Sequence, residues 1–148
     1  MRSGAIHMSS FEQHSQPAQT SEVPLASLCE QSQLDFEIAF FESLLERQPG
    51  YVEVLRAHGN NLTLKGRISE GMSVDKKLIQ LRPEDCLAHY NLACSYALMR
   101  QAEQALKSLR RAIELGYRDF RYMKQDRDLE FVRRDPRFRQ LLHDFETR

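Results

Sequence analysis

An all-α stack of helix pairs is the fold this sequence predicts, and three observations carry the prediction. Pro49 and Pro83 lie 34 residues apart, and each closes an apolar helical run, "FEIAFFESLLERQPG" and "GMSVDKKLIQLRPED". A further step of 34 reaches Tyr117, directly after the similar run "AEQALKSLRRAIELGY". No segment shows a β pattern of comparable strength. Apolar side chains that return every third and fourth residue mark helices, and proline removes the donor that the next turn would need. A fixed period of this length signals stacked helix pairs, each covering its neighbour's apolar face. Stacks of this kind bind other molecules far more often than they perform chemistry.

Residues 1–21 are rich in Ser, Gln and His and lack a sustained apolar period, which predicts a disordered leader. Val23 to Gln33 places Leu25, Leu28 and Cys29 at helical spacing, enough for a short helix after Pro24. A stronger helix follows over about Asp35–Arg47, with Ile38, Phe41, Leu44 and Leu45 on one stripe. Phe36 and Phe40 widen that stripe, so this helix needs cover on more than one side. Tyr51–Leu64 turns Leu55, Gly59 and Leu62 inward, and Gly66 ends it at a position suited to positive φ. The return helix spans about Ile68–Leu81. The next, about Glu84–Met99, carries His89, Leu92, Ala93 and Tyr96 inward. Its partner, about Ala102–Leu115, presents Ala105, Leu106, Leu109, Ala112 and Ile113, small residues alternating with large ones as close helix pairing requires. Asp135-Pro136 supplies an N-cap and a first-turn proline, and Phe138, Leu141, Leu142 and Phe145 then form a stripe able to cover the end of a stack.

"AHYNLACSYALMRQAEQALKSLRRAIEL" resembles a tetratricopeptide repeat, with Leu92, Ala93, Tyr96, Ala105, Leu109 and Ala112 on its signature positions. The preceding unit matches through Leu55, Gly59, Leu62, Gly66, Ile79 and Pro83. It departs at Asp75, where an aromatic is usual, and at Gly71, where alanine is usual, which suggests a loosely packed middle unit. The segment from Leu115 onward is similar to a recurring end segment of bacterial tetratricopeptide proteins. The resemblance implies a right-handed α-solenoid of antiparallel helix pairs with a C-terminal helical cap. Its expected divisions are repeats over 22–117 (about 22–51 partial, 52–85 and 86–117) and a cap over 118–148.

Charge and cysteine usage narrow the function classes. The chain's 21 basic and 21 acidic residues cancel, which argues against general attraction to nucleic acid or a membrane surface. The balance is uneven along the chain: seven acidic and two basic residues up to Gly50, against twelve basic and seven acidic from Arg100 to Arg139. Ordinary surface scatter and head-to-tail association both fit that asymmetry. Cys29, Cys86 and Cys94 have no paired spacing, and no apolar stretch resembles a signal peptide or membrane span, which points to a reduced cytoplasmic protein. Cys86 and His89 share a helix face, but no second ligand pair completes a metal site. No phosphate-cradling glycine loop and no local thiolate–imidazole pattern appear. Asp126, Asp128 and Glu130 lack the calcium-loop pattern and fit the start of a cap helix better. The expectation is therefore a non-catalytic scaffold or adaptor without cofactor or metal.

In the family, the first helix of each unit lines a concave face. That implies a groove built from Glu53, Arg56, Asn60 and Thr63, then Leu87, Tyr90, Asn91, Cys94 and Ala97, extended by Arg121 and Lys124. Leu87 and Tyr90 would form an apolar centre between cationic edges, suited to a protein or peptide partner. Some family members grip a chaperone's C-terminal carboxylate through Lys and Asn on these helices. Arg56, Asn60 and Asn91 resemble a partial version of that clamp, so an acidic or carboxylate-terminated segment is the alternative partner. A third reading is structural: Phe36, Phe40 and Phe41 lack obvious cover, which either residues 23–29 or a second copy of the chain would provide.

Overall fold

A computed structural model describes residues 25–147, and within them all regular structure is helical. Helices α1 (Leu25–Arg47), α2 (Val52–Leu64), α3 (Ile68–Leu81), α4 (Cys86–Leu98) and α5 (Ala102–Glu114) follow one another, and each packs on the next. The short α6 (Phe120–Met123), a 3-10 turn (Arg127–Leu129) and α7 (Glu130–Arg133) then lead into α8 (Pro136–Glu146). The expected leader, together with Val23 and Pro24, lies outside the described residues.

The caps read from the sequence are formed. Gly66 closes α2 with φ +84°, and Gly116 follows α5 with φ +111°. Arg100, 34 residues after Gly66, takes the equivalent place between α4 and α5 at φ 59°, a conformation that usually favours glycine. The Asp85 carboxylate accepts the Leu87 and Ala88 N–H groups at 3.0 and 3.2 Å to start α4. Asp135 accepts Arg137 N–H at 2.9 Å ahead of Pro136, as its N-cap position demands.

Two expectations are corrected. Instead of a short helix followed by a longer one, α1 is a single helix of 23 residues. Gln31, Ser32 and Gln33 include no proline or glycine, so nothing stops helix propagation through them. Leu25 to Cys29 are therefore the opening turns of the helix that carries Phe36 and cannot fold back over it. Phe36 and Phe40, stacked at 6.2 Å between centroids, remain 66% and 50% exposed, while Ile38 is buried. The middle unit is also close-packed, not loose. A Cβ added to Gly71 would lie 2.7 Å from Thr63 Oγ1 and 3.1 Å from the Gly59 carbonyl oxygen. Glycine at this position lets α3 approach the α2 backbone, and Leu55, Leu62 and Leu78 pack to near-zero exposure beside it.

The larger core joins α4 and α5 to the C-terminal helices. Ala93, Ala97, Ala105 and Ala112 are fully buried, which brings α4 and α5 together, and Leu109 and Ile113 fill the space between layers. Phe138, Leu141 and Leu142 from α8 complete this core, with Phe145 packed at its edge. His89 is corrected from an inward position: its ring is partly exposed, and Nε2 lies 2.9 Å from the Pro83 carbonyl oxygen.

Candidate functional site

A cavity of about 220 Å³ opens between α2, α4 and the chain that follows α5. Gly59, Asn60 and Thr63 form the α2 wall; Leu87, Tyr90, Asn91, Cys94 and Ser95 form the α4 wall. Tyr117, Tyr122, Asp126 and Asp128 close the third side, and Asp75 reaches it from α3. Helical spacing explains the two long walls: Asn60 and Thr63, and likewise Leu87, Asn91 and Cys94, lie one turn apart on their helices. Six of the eleven residues marked from the sequence (Asn60, Thr63, Leu87, Tyr90, Asn91 and Cys94) are thus brought to one concavity.

The other five are placed elsewhere, Ala97 inside the core that joins α4 to α5. Glu53 and Arg56 line a separate depression with Arg82, Pro83 and Asp85. The Arg56 guanidinium is ion-paired with Asp85, the carboxylate that also caps α4. Arg121 is exposed outside the cavity lining, and Lys124 is paired with Glu146 at 2.6 Å. The expected cationic edges therefore do not belong to this cavity. Its lining contains no Lys, Arg or His, while three carboxylates face it. Tyr90 is corrected as well. Instead of an open apolar anchor it is 5% exposed, and Leu87, 48% exposed, is left as the apolar rim.

The floor is a buried polar network. Tyr90 donates its hydroxyl to Asp126 Oδ2 at 2.7 Å, and Cys94 Sγ lies 3.8 Å from the same oxygen. Asp126 Oδ1 accepts the Asp128 N–H at 3.0 Å, which caps the 3-10 turn, and the Arg133 guanidinium holds the Asp126 carbonyl oxygen. The Tyr90 and Tyr117 rings stack at 4.4 Å with only 6° between planes, and Tyr122 tilts against Tyr90 at 6.3 Å. On the opposite side Ser95 donates to Asp75 Oδ2 at 3.0 Å, and no donor to Asp75 Oδ1 stands among the described residues.

Burial sets the protonation states. Desolvation pushes the Tyr90 phenol far above its ordinary range, with Cys94 and the accepting Asp126 adding to it. Burial likewise raises the Tyr117 phenol to about 12. The Cys94 thiol is raised by burial and then by the Asp126 carboxylate, so at neutral pH it is a thiol and a poor nucleophile. Burial lifts Asp75 from 3.8 to about 6, against the hydrogen bond from Ser95 and the attraction of Arg56. Asp128 is raised by burial and by its neighbour Asp126. Among the described residues, no three His, Cys, Asp or Glu side chains converge closely enough to share a metal ion. The three carboxylates can accept hydrogen bonds and positive charge, and the Asn60 and Asn91 amides can donate as well.

Seven lining residues escaped the sequence reading as groove residues: Gly59, Asp75, Ser95, Tyr117, Tyr122, Asp126 and Asp128. Asp75 left a signal, because it departs from the aromatic usual at its repeat position. Asp126 and Asp128 were visible only as helix-start residues, since the Tyr90–Asp126 contact spans 36 positions.

No family model matches the chain. Over 91 residues it is 31% identical to a chloroplastic protein of Arabidopsis thaliana. That match takes in 60% of this chain and 27% of the Arabidopsis protein, so the chain spans about a quarter of its relative's length.

Proposed function

We propose that the chain is a tetratricopeptide-like, right-handed helical solenoid that works as a non-catalytic scaffold or adaptor. A segment of a partner protein enters the cavity between α2 and α4. The observation that carries this reading is the convergence of Asn60, Thr63, Leu87, Tyr90, Asn91 and Cys94, marked in advance by repeat register, on one concavity. Helices α1 to α5 packing strictly in chain order also suit a stack of helix pairs. A raised thiol at Cys94 and phenols held protonated suit binding better than nucleophilic or acid–base chemistry. Cys29, Cys86 and Cys94 are all unpaired, which suits a reducing compartment such as the cytoplasm. No helix among the described residues is long and apolar enough to cross a membrane.

A photo-crosslinking amino acid placed at Asn60, on the cavity rim, tests the reading against one placed at Lys107, exposed on α5. In lysate of the source organism, specific protein adducts are expected from position 60 and not from 107. Equal adduct patterns from both positions would remove this cavity as the binding surface. The uncovered Phe36–Phe40 face supports a second reading, self-association through α1.

A further inference from the structure

Resting on the groove reading above, we propose that the cavity receives an arginine side chain presented by an extended segment of a partner protein. Charge complementarity is the first ground. Asp75, Asp126 and Asp128 face the cavity, and no cation stands among its lining residues. Of the neighbouring cations, Arg56 pairs with Asp85, Arg133 holds the Asp126 backbone carbonyl and Lys124 pairs with Glu146, while Arg100, Arg127 and Arg134 stand with Asp128 around a separate depression.

The second ground is an acceptor left without a donor at the cavity's edge. Asp75 is only 3% exposed, yet one of its carboxylate oxygens has no donor among the described residues and its side chain borders the cavity. A buried carboxylate without a cation is costly, and folded proteins normally pair it or replace it. Its raised pKa is the electrostatic mark of that burial. The Asp128 carboxylate, half-buried across the cavity, likewise has no ion-pair partner among the described residues.

The third ground is shape. About 220 Å³ lies below the range of pockets that enclose drug-sized ligands and suits a single long side chain. Tyr122, 52% exposed at the mouth and tilted against the Tyr90–Tyr117 stack, offers an aromatic face. A planar guanidinium can lie on such a face while its fork of N–H donors reaches separate carboxylates; a lysine ammonium is a compact charge without that plane. An acidic segment or free C-terminal carboxylate would instead meet three like charges.

The probe is the peptide acetyl-Gly-Ser-Arg-Ser-Gly-amide, titrated into the isotope-labelled full chain and followed by backbone amide shifts. Saturable shifts are expected at Asn91, Cys94, Tyr122 and Asp128. Peptides with Glu, Leu or Lys in the centre should bind about tenfold more weakly or not at all, and added salt should weaken the arginine peptide. Asp75→Asn and Asp128→Asn should each reduce its affinity by about threefold or more. Because Asp75→Asn relieves a buried charge, weaker binding in a variant at least as heat-resistant as the parent cannot be blamed on unfolding. A Glu or Leu peptide that binds the cavity as well as the Arg peptide would overturn the proposal and leave the groove reading intact. Equal binding of the Lys peptide would overturn the arginine assignment, and no shift at cavity amides with any peptide would overturn the proposal outright. Crosslinking from position 60 in lysate is the separate measure on which the groove reading stands or falls.

Discussion

Replacing Asp75 by asparagine should make the protein more stable at neutral pH, and more so as pH rises. The carboxylate is 3% exposed, receives the Ser95 hydroxyl from α4, and feels Arg56 from α2 only across a gap, because that guanidinium is bound to Asp85. Cys94, next to Ser95 on α4, is neutral, and Asp126 and Asp128 across the cavity add negative charge. Burial wins, and the pKa rises from 3.8 in the ordinary carboxyl to about 6 in the fold. The folded protein therefore holds this proton more tightly than the unfolded chain does. The stabilisation that the proton brings is complete below pH 4 and is lost as pH climbs through about 6. At 1.36 kcal/mol per tenfold change in acidity, an ionised Asp75 costs the fold about 3 kcal/mol at pH 8. Asparagine keeps the size and the acceptor for Ser95, carries no charge, and turns its amide N–H groups toward the cavity. Differential scanning calorimetry of parent and variant from pH 4 to pH 8 is the assay. Near-equal Tm values are expected at pH 4 and a variant advantage of about 10 °C at pH 8. Comparing the two proteins matters because His58, buried and held below its ordinary pKa chiefly by desolvation, gives the opposite slope and cancels in the difference. A variant no more stable at pH 8, or an advantage that does not change with pH, would refute the account of Asp75 as a buried, unpaired charge.

Two more perturbations address the ends of the helical stack. Leu141 on α8 is 3% exposed within the core shared with α5, so Leu141→Ala should cost about 2–5 kcal/mol by leaving a cavity. An unchanged denaturation midpoint would mean that α8 does not hold the C-terminal end closed. If Phe36 and Phe40 on α1 are covered by a second copy, light scattering should report a dimer, and Phe40→Glu should convert it to a monomer. A parent protein that is monomeric at every concentration would exclude that cover.

Local regularities of the sequence determined where the helices lie and which faces they bury. The 34-residue spacing of Pro49 and Pro83, the stripe of Leu55 and Leu62, the Asp85 and Asp135 caps and the glycine stop at Gly66 each act within a few residues of their own position. A helix can be read from such signals because its hydrogen bonds and its period are themselves local. The continuity of α1 was open to the same reading through the lack of a breaker at Gln31 to Gln33. Repeat register brought six groove positions to one cavity, since residues one helical turn apart share a face. The charge of that groove was decided by tertiary structure alone. Arg56 is drawn away by Asp85, 29 positions on, and Asp126 is brought beneath Tyr90 from 36 positions away. Asp75 is brought against Gly59, at the edge of the cavity, by the close approach that Gly71 permits. No period or cap announces such pairings, because which charges neutralise one another depends on three-dimensional distance and burial, and these exist only once the helices have packed.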